Sequence, residues 1–112
     1  MSSMKHFSNG EVIAEVGEKA KCFYVLVEGK VGVYKDANLI VEFSKAGDII
    51  GEVSLILNKP RSAEIKALAD SNLLIVSGEL DDIIRMYPDI SKKLIKTLAE
   101  RLERTINNKG KL

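Results

Sequence analysis

The chain has 112 residues, 46% of them hydrophobic and 29% charged, which is the composition of one globular domain. Its 17 basic and 16 acidic side chains leave a net charge of +1, too balanced for non-specific nucleic-acid binding as the main activity. No apolar run approaches the roughly 20 residues of a membrane-spanning helix and the first residues lack a signal-peptide pattern, so we expect a cytoplasmic protein that spans no membrane.

Short β-favouring segments separated by turn residues fill the first three quarters of the chain. After an N-terminal stretch that we expect to be frayed, strands are predicted over 11–16, 23–27, 31–34, 39–43, 49–50, 63–68 and 73–76. Glycines or polar residues stand at the reversals, including a turn predicted at 70–72. Strands at this spacing indicate a mainly β fold, an antiparallel barrel or jelly roll (a double-stranded β-helix), rather than alternating β and α units.

The last third of the chain changes to a helical period. A short helix begins near Leu80 and ends at Pro88, and a longer helix follows over about 89–108. Its apolar stripe is wide enough either to cap its own domain or to form a dimer seam through Ile95, Leu98, Leu102 and Ile106. We place a barrel at about 7–77 and C-terminal helices at about 79–108, within a single domain over 1–112.

The chain has too few histidines and cysteines to support catalysis by these side chains or by a metal bound to them. Cys22 is the single cysteine, and its apolar neighbours favour a buried structural thiol over a reactive one. His6 is the single histidine, which is too few for a histidine-based metal site or a Ser-His-Asp triad. We therefore predict no catalytic residue, no metal and no cofactor, and expect a binding protein rather than an enzyme.

The segment over 47–63 can form a tight reversal. Gly51 permits a sharp turn, residues 52–57 are long enough for a short helix, and Pro60 prevents that helix from continuing. The chain can then double back and return Arg61 to the N-terminal end of the same helix.

Two kinds of recognition chemistry would meet at this reversal. Free helix N–H groups and the Arg61 guanidinium suit a phosphate, and the Glu52 carboxylate suits a sugar hydroxyl, which together describe a ribose phosphate. The alternative is that Glu52 and Arg61 pair with each other across the turn, and from these residues alone that alternative is slightly favoured.

Gly51-Glu52, followed after eight residues by Arg61-Ser62-Ala63, resembles the phosphate-binding cassette of the cyclic nucleotide-binding domain family. That family includes catabolite activator proteins, protein kinase A regulatory subunits and cyclic nucleotide-gated channels. The similarity extends to Gly10-Glu11-Val12-Ile13, Gly17-Glu18, 23–31, Gly47-Asp48, 86–89 and 98–102. About 100 positions can be placed in this way, so the motif is far more specific than a lone glycine pattern.

The resemblance implies roles for individual residues. Arg61 would bind the cyclic phosphate and Glu52 the ribose 2′-hydroxyl, and backbone N–H groups near Val53 and Ser62-Ala63 would complete the phosphate site. The Ser62 hydroxyl would assist and influence the choice between adenine and guanine. Walls for the sugar and base are expected at Val33 and Val41. Thr105 would reach the adenine, or else is an ordinary residue on a helix seam.

Some positions depart from the family pattern. Ile50 stands where phenylalanine is frequent, Ser44 replaces a usual leucine, and Glu64 stands where threonine, serine or an aromatic residue is usual. Strand alternation from Arg61 predicts that Glu64 points to solvent and so does not oppose an anionic ligand. The bacterial activators continue into a DNA-reading module, which has no counterpart before Leu112.

These observations predict a regulatory sensor module that binds a cyclic mononucleotide, cyclic AMP ahead of cyclic GMP, with movement or dimerisation of the C-terminal helix as its output. The alternative is a degenerate cyclic nucleotide-binding fold that acts as a dimerisation or protein-interaction module without nucleotide. A cupin-type enzyme would need several inward histidines that this chain lacks.

Overall fold

A computed structural model describes residues 2–108. The chain divides into two units, one extending through Leu80 and the other beginning at Asp81. The first unit contains β1 Ser2–Phe7, β2 Val12–Ala14, β3 Cys22–Glu28, β4 Val31–Lys35, β5 Asn38–Phe43, β6 Ile49–Ile50, α1 Glu52–Ile56, β7 Glu64–Ala67 and β8 Ser71–Ser77. Helix α2 Leu80–Met86 starts at the boundary, and α3 Pro88–Asn108 lies in the second unit.

The strands form two four-stranded antiparallel sheets, with strand orders β1-β8-β3-β6 and β2-β7-β4-β5. Both sheets contribute to one hydrophobic core, whose buried members are Phe7, Ala14, Tyr24, Leu26, Val31, Ile50, Ile65, Ala67 and Leu73. The prediction of a mainly β jelly roll followed by helices is confirmed. The two sheets stay separate in their hydrogen bonding, so the roll is not a closed barrel.

The N-terminal residues form a strand, so the prediction of a frayed stretch is wrong. β1 pairs with β8 along its whole length, and His6 Nδ1 lies 3.0 Å from Asn72 Oδ1. Only Phe7 of the strand is buried. β1 is therefore held by main-chain pairing with β8. Its own polar sequence does not predict a strand. The turn predicted at 70–72 lies two residues earlier, over 68–70, because Ser71 and Asn72 belong to β8.

The two C-terminal helices agree with the predicted break. α2 ends at Met86 and α3 starts at Pro88, whose fixed φ and missing N–H suit the first position of a helix. The buried Ser91 hydroxyl donates to the carbonyl oxygen of Tyr87 at 2.9 Å. Leu94 is buried on one side of α3, whereas Ile95 and Leu102 are 69% and 62% exposed.

The turn between β4 and β5 is strained at Ala37. Asp36 and Ala37 have φ angles of 52° and 65°, as in a two-residue type I′ turn, where glycine is preferred at the second position. We expect Ala37→Gly to raise the free energy of unfolding by about 1 kcal/mol, because it relieves the left-handed backbone cost of a Cβ. Denaturant titration would measure the change.

A matched control is Ala99→Gly on the exposed surface of α3. The same chemical change at a helical φ should lower the free energy of unfolding by about 1 kcal/mol. If Ala37→Gly also destabilised the protein, the turn would not be storing strain.

Candidate ligand-binding site

The reversal predicted over 47–63 is present. Gly51 begins it in the left-handed region with φ 79°, and α1 Glu52–Ile56 follows directly. Asn58 ends the helical turn with φ 53°, and the N–H of Lys59 donates to the carbonyl oxygen of Ser54 at 2.9 Å. The chain therefore doubles back at Pro60, as its sequence predicts.

The reversal places the Arg61 side chain beside the start of α1. Its Nη1 donates to the carbonyl oxygen of Gly51 at 2.8 Å, and its Nη2 donates to the carbonyl oxygen of Cys22 at 2.6 Å. A Cβ at Gly51 would stand 2.8 Å from Nη1, so only glycine allows this close approach. Arg61 is 4% exposed, which makes it a buried cation held by main-chain carbonyl groups.

The main chain of Arg61 is fixed by the loop between β2 and β3. Its N–H donates to the carbonyl oxygen of Glu18, and its carbonyl oxygen accepts from the N–H of Gly17, both at 2.8 Å. Lys19 and Pro60 form a further bridge of β type beside them. This supporting loop was not part of the site predicted from the sequence. Its one indication in the sequence is the similarity of Gly17-Glu18 to the family.

Glu52 lies at the same end of α1 and is 2% exposed. The other predicted phosphate-site residues are more open, since Val53 and Ser62 are exposed and Ala63 is half-buried. The structure thus brings Gly51, Glu52 and Arg61 together in a buried corner with the remaining cassette residues at its surface. Direct pairing of Glu52 with Arg61 stays a prediction.

The predicted sugar and base walls form a row across the second sheet. Val33 is the register partner of both Val41 on β5 and Ile65 on β7, so the three side chains share one face. Ile65 is buried, and its Cδ1 would lie 3.3 Å from a Cβ at Gly51. Val41 is 40% exposed at the other end. The row therefore leads from an open apolar surface to the corner that contains Arg61.

Ile65 was not among the predicted site residues. Strand alternation could have found it, because it stands four residues after Arg61 and so lies on the same face of an extended chain. Glu64 lies on the opposite face, as predicted, but is half-buried rather than fully in solvent. Its carboxylate lies 3.8 Å from Nζ of Lys66, which is on the same face.

The structure also shows the environment of Cys22, predicted to be a buried thiol, and of Thr105, a predicted contact of the adenine. Cys22 is half-buried rather than fully buried, and its Sγ lies 3.9 Å from Nη2 of Arg61. Thr105 is exposed on α3, and its hydroxyl donates to the carbonyl oxygen of Arg101 at 3.1 Å. That bond occupies the hydroxyl within its own helix.

Residues 2–108 contain no cluster of three or more histidine, cysteine, aspartate or glutamate side chains arranged to hold a metal ion. In the same stretch, no helix combines the length and the apolar content that crossing a membrane requires.

The first unit is thus a jelly-roll domain with an arginine and a glutamate buried at the start of a short helix. The model of the cyclic nucleotide-binding domain matches residues 4–86. The chain belongs to the cyclic nucleotide-binding domain family.

Known relatives and solved structures agree with this assignment. The CRP-like cAMP-activated global transcriptional regulator of Mycobacterium tuberculosis is 29% identical over an alignment of 108 positions, which covers 91% of this chain and 48% of that protein. Patatin-like phospholipase domain-containing protein 7 of Rattus norvegicus is 30% identical over an alignment of 99 positions, which covers 83% of this chain and 7% of that protein. This chain therefore spans less than half of either relative.

Among solved structures, PKAR CBD2 with bound Sp-2Cl-cAMPS superposes with a TM-score of 0.73 at 29% identity, over 99% of this chain and 73% of that one. The Thermus thermophilus catabolite activator protein superposes with a TM-score of 0.79 at 24% identity, over 96% of this chain and 53% of that one. The second likeness concerns the fold alone.

Proposed function

We propose that this protein binds a cyclic mononucleotide, cyclic AMP ahead of cyclic GMP, as a regulatory sensor that does no chemistry on its ligand. The observation that carries the proposal is the buried corner in which Arg61 and Glu52 lie at the start of α1, beside the open row of Val41, Val33 and Ile65. The cyclic AMP analogue bound to PKAR CBD2 and the cAMP-activated mycobacterial regulator support this choice of ligand.

The chemistry of the corner suits the parts of such a ligand. A guanidinium has five N–H groups, and Arg61 uses bonds to the carbonyls of Gly51 and Cys22 to fix its plane, so further N–H groups can donate to phosphate oxygens. Glu52 would accept from the ribose 2′-hydroxyl, and the apolar row would contact the sugar and base. The proposal includes no cofactor, no catalytic residue and a cytoplasmic location.

The output would be a shift in population between two arrangements of the second unit. A ligand shifts such an equilibrium only by its differential affinity for the two states. Hydrogen exchange of α3 with and without saturating cyclic AMP would test this output, and equal protection in both conditions would contradict it.

Calorimetric titration tests the ligand assignment. We expect one site, with cyclic AMP tighter than cyclic GMP and with adenosine much weaker than either because it has no phosphate. Absence of heat and of thermal stabilisation at millimolar concentrations of both cyclic nucleotides would contradict the proposal.

A second candidate function is dimerisation through α3, alone or as the output of the sensor. Its supporting observation is the exposure of Ile95 and Leu102, which are seven residues apart and so lie on one side of the helix. The seam would also include Leu98 and Ile106, both half-buried.

We expect Leu102→Asp to convert a dimer to a monomer, because it would place a charge in an apolar seam without disturbing a buried contact. Sedimentation velocity would measure the change, with Lys96→Asp on another side of α3 as the control. A monomeric wild-type protein would contradict the dimer, and a monomeric Leu102→Asp variant that still binds cyclic AMP would separate dimerisation from ligand binding.

A further inference from the structure

The ring of Tyr24 packs against the guanidinium of Arg61 inside the first unit. Tyr24 is 6% exposed and Arg61 is 4% exposed, and the guanidinium carbon lies 5.5 Å from the ring centroid. A guanidinium near an aromatic ring is attracted by the ring quadrupole, and the attraction is larger when both groups are removed from water.

Tyr24 is itself held firmly in place. It lies in β3 between β8 and β6, where its register partners are Ile75 and Ile50. Cys22 stands two residues earlier on the same face of the strand. Burial raises the pKa of Tyr24 above its usual range, so the hydroxyl stays neutral at physiological pH.

We infer that Tyr24 is a positioning residue for Arg61, whose guanidinium it holds in the binding corner before a ligand arrives. The carbonyl oxygens of Gly51 and Cys22 fix the two terminal nitrogens, and the ring restrains the guanidinium between them. A donor that is already oriented loses less conformational entropy on binding a phosphate, which is a gain in affinity without a new ligand contact. The effect on affinity rests on the proposed function, whereas the restraint on Arg61 does not.

The first test measures that restraint without any ligand. Nitrogen-15 NMR of the arginine side chains reports rotation about the Nε–Cζ bond of Arg61. We expect separate Nη signals in the wild type and in Tyr24→Phe, which keeps the ring, and averaged signals in Tyr24→Leu. Phe7→Leu is the matched control, because it removes another buried aromatic ring from the same core and should leave the Arg61 signals unchanged. If Tyr24→Leu does not fold, Tyr24→Met replaces it.

The second test is a double-mutant cycle in which cyclic AMP affinity is measured by calorimetry. Tyr24→Leu should weaken binding by about tenfold, with Tyr24→Phe close to the wild type. In an Arg61→Ala background the same substitution should have no further effect, because the ring would have no guanidinium left to position.

The outcomes distinguish the two proposals. Failure of the wild type to bind either cyclic nucleotide would overturn the proposed function, and the NMR comparison would still decide the role of Tyr24. Separate Nη signals in Tyr24→Leu, or an undiminished effect of that substitution in the Arg61→Ala background, would overturn the positioning role.

Discussion

Arg61→Ala is expected to weaken cyclic AMP binding by about 30- to 1000-fold, a cost of about 2–4 kcal/mol. The substitution removes the buried cation from the corner at the start of α1 and leaves the ligand phosphate without its charge-assisted hydrogen bonds. Calorimetric titration of both proteins would measure the ratio. Unchanged affinity would show that the phosphate does not bind at this corner.

Two companion variants sharpen this result. Arg61→Lys should recover only part of the affinity, because an ammonium group cannot present two donors in a fixed fork and cannot bridge the carbonyls of Gly51 and Cys22. Lys66→Ala removes a cation that pairs with Glu64 on the opposite face of β7, so it should change affinity by less than about twofold. Equal losses in Lys66→Ala and Arg61→Ala would point to a general electrostatic effect.

Gly29→Ala is expected to lower the free energy of unfolding by about 2–5 kcal/mol. Gly29 has φ 110°, and a Cβ there would stand 2.6 Å from the Cα of Ser71. Ser71 cannot move away easily, because its buried hydroxyl donates to the carbonyl oxygen of Ala69 at 2.8 Å and accepts from the N–H of Lys30 at 3.0 Å. Denaturant titration followed by circular dichroism would measure the loss.

Gly10→Ala is the control for the backbone contribution. Gly10 also has a positive φ, 89°, but a Cβ there would meet nothing within 4 Å. Its cost should therefore be the left-handed conformation alone, about 1–2 kcal/mol. Equal losses in the two variants would contradict a steric contribution from Ser71.

The sequence was sufficient to predict most strands, both C-terminal helices and the reversal over 47–63. β3 and β5 carry apolar runs that end at turn residues, and Pro88 marks the start of α3 in the structure as it does in the sequence. Gly51 and Pro60 limit the backbone locally, so the short helix and its reversal follow from nearby residues alone.

The incorrect predictions, a frayed N-terminal stretch and a turn that includes Ser71 and Asn72, concern segments whose conformation depends on pairing with a distant strand. β1 has one buried residue and no apolar alternation, yet it forms a strand because β8 supplies its hydrogen-bond partners. Ser71 and Asn72 suit a turn by composition, but they extend β8 and meet Gly29 and His6 from distant parts of the chain. Local propensity is a weak guide where a neighbouring strand provides the pairing.

By itself, the sequence determined the fold class and the reversal over 47–63, because strand periodicity and the constraints of glycine and proline act over a few residues. The tertiary structure alone decided which groups surround Arg61. The carbonyl of Cys22, the ring of Tyr24 and the Gly17-Glu18 loop are all about 40 residues away along the chain. Only the tertiary packing brings the first two to the guanidinium of Arg61 and the loop to its main chain.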